Sequence, residues 1–195
     1  MNKTRLEAFS DGVIAIIITI MVLEIKIPHE ATMQALLALT PVFISYVLSF
    51  LMVAIYWGNH HHLLHTVRHV TPKIIWANMG LLFSLSLVPF TTGWMGENHF
   101  AELTVALYAV NHLFCGFMAF LLQNAILDHL IEKNKLMEAI LKTKKKSMIT
   151  VAIYLVAIPV AFYYPVVSVA LIGVSAVMWA IPDKDVERAL MEAEE

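Results

Sequence analysis

Residues 5–25 read RLEAFSDGVIAIIITIMVLEI, and this stretch decides what kind of protein the chain is. Twelve uncharged residues, from Gly12 to Leu23, stand between two acids, Asp11 and Glu24. A helix of that length is about 18 Å long, too short to cross the hydrocarbon of a membrane unaided. Charges at such depth usually face a bundle interior or a water-filled cavity. We therefore predict an inner helix that is shielded from lipid.

A cleaved signal peptide is the alternative interpretation of this stretch. Glu7 and Asp11 do not suit the basic leader that a signal peptide needs, and no small-residue cleavage site follows Leu23. We therefore expect the helix to remain in the protein.

The rest of the chain is equally poor in charge. Of 195 residues, 59% are hydrophobic and 14% are charged, and the mean hydropathy is +0.74. This composition excludes a disordered chain, a disulfide scaffold and an ordinary soluble enzyme. The formal net charge of −2 gives no reason to expect nucleic acid as a partner. The sequence therefore predicts one all-α integral membrane domain.

Long runs without Asp, Glu, Lys or Arg predict six transmembrane helices, since a span needs about 20 mainly apolar residues. The run 147–182 is too long for one crossing, and Tyr163, Tyr164 and Pro165 in its middle predict a hairpin between two short spans. The predicted spans are 8–27, 38–60, 74–95, 101–127, 146–163 and 165–182, with a connector at 128–145 and a tail at 183–195.

The positive charges predict the orientation of these spans. Twelve of the 13 Lys and Arg residues fall on the side of the two termini, and only Lys26 falls on the other. This bias predicts that both termini, the connector and the tail are cytoplasmic. Lys144, Lys145 and Lys146 at the end of the connector are expected to bind anionic lipid headgroups.

Motifs for catalysis are missing from the sequence. It contains no phosphate-binding glycine loop, no nucleophile elbow and no HExxH metal helix. The potassium filter sequence TVGYG is also absent. We predict that the protein is not an enzyme and carries no cofactor.

A histidine cluster, residues 60–69, allows two interpretations. His61, His65 and His69 follow one another at steps of four, which is a possible ligand spacing for zinc on one helix face. Neither Cys nor an acid accompanies them, so we expect hydrogen-bonding or interfacial roles and no metal. A proton- or metal-coupled carrier that uses this cluster and Asp11 stays open as an alternative function, as does a structural membrane protein.

One face of the first helix is a candidate pore lining. Its members follow one another at steps of four and three and are Arg5, Phe9, Gly12, Ile16, Thr19 and Leu23. Ile20 lies beside them on the same side. Simpler interpretations are open for each of these features. Nearly every residue from 13 to 23 is apolar, so any face of this helix would be hydrophobic. Thr19 can bond to a carbonyl of its own helix, and Ser10-Asp11 can be a simple N-cap.

The string R-x-x-x-F-S-D at residues 5–11 favours the pore-lining interpretation of this helix face. Together with Thr19 and Leu23-Glu24-Ile25 it resembles the prokaryotic branch of the transmembrane protein 175 family, the lysosomal potassium channel family. The string WGNHH at 57–61, Asn78 and the string PFT at 89–91 match as well. The resemblance covers the whole chain and implies a homotetramer in a prokaryotic plasma membrane, with K⁺ as the permeant ion and the first helix of each subunit lining the pore.

The resemblance also assigns roles to residues. Ile16 matches the narrowest hydrophobic ring of the pore, Thr19 a hydroxyl layer implicated in selectivity, and Ile20 and Leu23 further apolar layers. The motif residues Arg5, Phe9, Ser10 and Asp11 are expected to tie the first helix to the second and third, with the partners drawn from Trp57, Asn59, His60, His61 and Asn78. Glu24 either lines the outer mouth or pairs with Lys26, and both roles stay open.

Overall fold

The structure is a computed structural model that describes residues 2–67, 69–128 and 135–180, with side chains for all of these except 135–145. Within these ranges every regular element is a helix, which confirms the all-α prediction for the described part of the chain. The predicted tail at 183–195, residues 129–134 of the connector and Arg68 lie outside the described residues.

Eight helices follow one another along the described ranges. They are α1 (Lys3–Leu23), α2 (Met33–Leu37), α3 (Thr40–His65), α4 (Pro72–Ser86), α5 (Val88–Glu97), α6 (Glu102–Leu127), α7 (Lys135–Ala161) and α8 (Pro165–Ala180). Four helical units are long and apolar enough to cross a membrane: α1, α3, α4 with α5, and α6. The apolar part of α7, Lys146–Ala161, and α8 are shorter, so the count of six spans stays a prediction.

The first helix begins earlier than its predicted span. Asn2 caps α1 by accepting a hydrogen bond from the backbone N–H of Arg5 at 3.0 Å, and the helix runs on without a break to Leu23. Ser10 and Asp11 therefore lie inside α1, and the alternative that they form its N-cap is wrong. Their side chains are available for tertiary contacts instead.

The third predicted span divides into two helices at Leu87. Pro89 has no backbone N–H to donate to the carbonyl four residues before it, so the chain turns at Leu87 and starts a new helix. This break lets α5 continue alongside α1 at the end of the bundle where Glu24 lies, and Glu24 packs over Gly93 there.

Two apolar clusters hold the bundle together. The first joins α1 to α3, α4 and α6 through residues such as Ile14, Leu81 and Leu122. The second joins α3, α5 and α6 to the α7–α8 hairpin, and Tyr108 and Tyr154 are its largest fully buried side chains. Helix α1 is thus anchored along one side only, and that anchoring decides which of its faces is left uncovered.

Candidate ion pore and the network that holds it

Helix α1 has one buried face and one exposed face. Its buried side chains recur at helical spacing and pack on the other helices, namely Leu6, Ser10, Ile14, Ile17 and Met21. The predicted pore residues occupy the opposite side. Ile16 is 58% exposed, Ile20 42% and Leu23 74%, and Thr19 is exposed as well. The chain therefore leaves uncovered the face that the sequence singles out.

A chain of buried hydrogen bonds fixes α1 to α4 and α3. The Ser10 hydroxyl donates to the carbonyl of Leu6 at 2.8 Å, so its oxygen must accept the 2.9 Å bond from Nδ2 of Asn78. Oδ1 of Asn78 then faces Nε2 of His60 at 2.7 Å and accepts from it. The tautomer of His60 follows, because only an Nε2–H completes this chain.

A second tie connects the same turn of α1 to α3. Nε1 of Trp57 donates to Oδ1 of Asp11 at 2.9 Å, at a partly exposed position. The ring of His61 lies 6.0 Å from that of Trp57. Asn59, in contrast, donates to the carbonyl of Ile55 in its own helix at 2.8 Å. Among the candidate partners, the structure brings Trp57 to Asp11 and leaves Asn59 out.

The four motif residues divide between the two faces of α1. Ser10 and Asp11 bind the neighbouring helices, as described above. Arg5 and Phe9 lie on the exposed side instead, and Phe9 is 53% exposed. Within one chain, Ser10 and Asp11 are thus the motif residues that form side-chain hydrogen bonds to the second and third predicted spans.

Thr19 bonds within its own helix. Its hydroxyl lies 2.8 Å from the carbonyl of Ile16 and 3.1 Å from that of Ala15, and it donates to these oxygens. A hydroxyl has one hydrogen and two lone pairs, so this bond leaves an oxygen that can still accept or coordinate. The bond to the helix and an oxygen ligand for a passing cation are therefore compatible.

Glu24 lies just beyond the end of α1, beside α5. Its side chain packs over Gly93, and its Oε2 lies 3.7 Å from Nζ of Lys26. Both members of this ion pair are well exposed, so the pair contributes little to stability. The pairing with Lys26 is present in the structure, and the outer-mouth role remains a proposal.

The histidine cluster is divided by its contacts. His60 is buried and belongs to the hydrogen-bond chain, whereas His61 and His65 are exposed, with ring centres 6.3 Å apart. Across 2–67, 69–128 and 135–180, no group of three or more His, Cys, Asp or Glu is arranged to hold a metal ion. The zinc interpretation therefore has no geometric support in the part of the chain that is described.

Two features have no signal in the sequence. A groove of about 580 Å³ runs between α1 and α5, with Phe90 and Trp94 stacked on its wall at 6.1 Å. In the second cluster, Ser49 links Tyr108 at 3.0 Å to Thr92 at 2.7 Å. Each depends on helices that are distant in sequence, so no local pattern announces it.

Comparison with known proteins settles the family. A potassium channel of Chryseobacterium sp. (strain P1-3) is 45% identical over 192 residues, which is 98% of this chain and 100% of that protein. The chain belongs to the TMEM175 family. The family model described as "Endosomal/lysosomal potassium channel TMEM175" matches residues 5–89 of this TMEM175 chain, which contain the R-x-x-x-F-S-D string and all of its candidate partners. The resemblance inferred from that string is confirmed.

A solved structure extends the similarity to the fold. The crystal structure of a lysosomal potassium-selective channel TMEM175 homolog from Chamaesiphon minutus matches with a TM-score of 0.77 and 28% identity, covering 91% of this TMEM175 chain and 96% of that one. The mouse endosomal/lysosomal proton channel TMEM175 is 39% identical over 99 residues, which is 45% of this chain and 19% of that protein. This TMEM175 chain is therefore an integral membrane protein of a channel family rather than an enzyme.

Proposed function

We propose that this protein is a potassium-permeable channel, a homotetramer that conducts passively through a pore lined by α1. The observation that carries this proposal is the exposed stripe Ile16, Thr19, Ile20 and Leu23 on a helix whose opposite face is buried and hydrogen-bonded. A stripe left bare by its own chain must meet lipid, another subunit or water. Asp11 and Glu24, which bracket the apolar stretch of this helix, argue against lipid on all sides, and the relatives named as potassium channels support a pore.

The stripe accounts for the ion preference in the following way. Ile16, Ile20 and Leu23 stand about 6 and 4.5 Å apart along the helix axis, so four copies would stack three apolar rings. An apolar ring cannot replace an ion's hydration shell, and it passes only an ion that keeps part of its water. K⁺ holds its water less tightly than Na⁺, so it loses less on entry. Four Thr19 hydroxyl oxygens beside the narrowest ring, which we assign to Ile16, would favour K⁺ further.

The membrane arrangement completes the proposal. Six spans with both termini in the cytoplasm agree with the twelve-to-one distribution of Lys and Arg, and the relatives in bacteria support a plasma membrane. Lipids are the other partners, with anionic headgroups at the Lys144–Lys146 end of the connector. Glu24 would raise the local concentration of cations at the outer mouth.

The experiment is K⁺ flux from liposomes that contain the purified protein. A channel predicts passive K⁺ flux that persists when the proton gradient is abolished. Ile16→Asn should raise the flux, because a polar ring no longer excludes water, and Thr19→Val should lower the preference for K⁺ over Na⁺. The matched control is Ile149→Ala, an exposed apolar position on α7, which should conduct like the original protein.

Two outcomes would contradict the proposal. If Ile16→Asn and Ile149→Ala both conduct like the original protein, α1 does not line the pathway. If K⁺ moves only together with protons, the protein is a coupled carrier. No contact among the described residues favours the carrier, because the cluster that it would use holds no metal geometry and His60 is engaged by Asn78.

A further inference from the structure

The groove between α1 and α5 lies directly beside the proposed pore face. It holds about 580 Å³ and is lined mostly by apolar side chains, including Ile16, Ile20 and the stacked pair Phe90 and Trp94. Ile16 and Ile20 belong to the pore stripe as well. The groove is thus continuous with the proposed pore wall, and a pore built from α1 alone would have a gap along this side.

The two flanks of the stripe differ in shape. At about 100° per residue, Ile17 lies about 100° from Ile16 on the groove side and Val22 about 120° away on the other side. Val22 is 44% exposed. On the Val22 side of α1, a groove of about 310 Å³ lies closer to the N-terminus of the helix and is lined by Asp11 and Trp57 among others. The C-terminal half of α1 therefore has a groove on one side and an exposed side chain, Val22, on the other.

A ring of identical subunits needs this kind of asymmetry. In a closed cyclic assembly of more than two copies, each copy meets its neighbours through two different surfaces. Val22 and the groove also lie at the same depth. Glu24 packs over Gly93, and Val22 and Phe90 precede those residues by about 3 and 4.5 Å of helix rise.

We propose that the groove between α1 and α5 receives the Val22 flank of α1 from the next copy of this chain. The inference rests on the proposed tetramer and adds which surfaces meet in it. A second copy suits the groove better than lipid, because Glu24 and Glu97 line it as well and carboxylates are costly against hydrocarbon. The neighbouring copy closes the gap in the pore wall and keeps these acids at its wet outer end.

Cysteine cross-linking in liposomes tests this arrangement. The only native cysteine, Cys115, is buried, so the background is low. After oxidation, Val22→Cys/Phe90→Cys should give a ladder of dimer, trimer and tetramer on a denaturing gel, since every copy carries both thiols. Each single variant should stay monomeric. The control Val22→Cys/Val166→Cys, whose second thiol lies on α8 away from α1, should also stay monomeric.

K⁺ flux, measured before oxidation, separates this inference from the proposed function. A ladder without flux would support the interface and contradict the channel. Flux without a ladder would overturn the interface while the channel stands, and lipid would then fill the groove. Strong dimerisation of Val22→Cys alone would also overturn it, because the Val22 sides of two copies would then face each other and neither would occupy a groove.

Discussion

Asn78→Leu should loosen the attachment of α1 more than any other single exchange of similar size near the motif. Asn78 is fully buried and joins two helices at once, since Nδ2 donates to Ser10 on α1 and Oδ1 accepts from His60 on α3. Leucine has similar bulk, so the exchange removes both hydrogen bonds without leaving a large cavity. What remains is a buried His60 Nε2–H with no acceptor.

The magnitude follows from these contacts. Hydrogen bonds between membrane helices contribute about 0.6 kcal/mol on average and up to about 1.7, so two of them account for about 1–3 kcal/mol. Orphaning a buried donor adds about 1–3 kcal/mol, although the gain in apolar contact from leucine offsets part of it. We expect a loss of about 2–4 kcal/mol, which for a chain of this size lowers the melting temperature by about 4–16 °C.

The assay is thermal unfolding in detergent, followed by intrinsic tryptophan fluorescence, together with K⁺ flux. The matched control is Asn59→Leu, because Asn59 is exposed and bonds only to its own helix. That variant should stay within about 0.5 kcal/mol of the original protein. If Asn78→Leu melts no lower than Asn59→Leu, the buried chain of hydrogen bonds does not hold α1 in place and the reasoning is refuted.

Two further exchanges test neighbouring contacts. Gly96→Ala should destabilise the protein by about 1–3 kcal/mol, because the added Cβ would come within 2.8 Å of the α3 backbone. The control is Gly173→Ala, because nothing lies within 4 Å of a Cβ added there. Equal melting temperatures for the two variants would contradict the predicted overpacking. Trp57→Phe should lower the free energy of unfolding by about 1 kcal/mol, because it removes the hydrogen bond to Asp11 on α1. The control Trp76→Phe, at a side chain that is 76% exposed, should leave the melting temperature unchanged. An unchanged melting temperature for both variants would show that the Trp57 bond contributes nothing to stability.

The helical class and the family could be predicted because they rest on local information. Uncharged runs report membrane helices wherever the chain places them, and the R-x-x-x-F-S-D string is contiguous. Helix ends were predicted less well. Asn2 starts α1 before the apolar stretch begins, and Pro89 divides one apolar run into α4 and α5 without any change in its hydropathy.

The partners of the motif could be predicted only as a set. Trp57, Asn59, His60 and His61 are adjacent on α3, and each turn of a helix points its side chains in different directions, so sequence alone could not say which one reaches α1. The structure decides it, since Trp57 meets Asp11 whereas Asn59 turns back to its own helix.

By itself, then, the sequence determined an all-helical membrane protein of the TMEM175 family, because composition, charge and motif are properties of contiguous residues. The family resemblance implied a pore face on α1, and only the tertiary structure showed which contacts bury the opposite face. In a helix that is apolar all round, hydrophobicity has no direction, so the choice falls to contacts with distant helices. Ser10, held by Asn78, turns one face of α1 inward and leaves Ile16 and its stripe on the other.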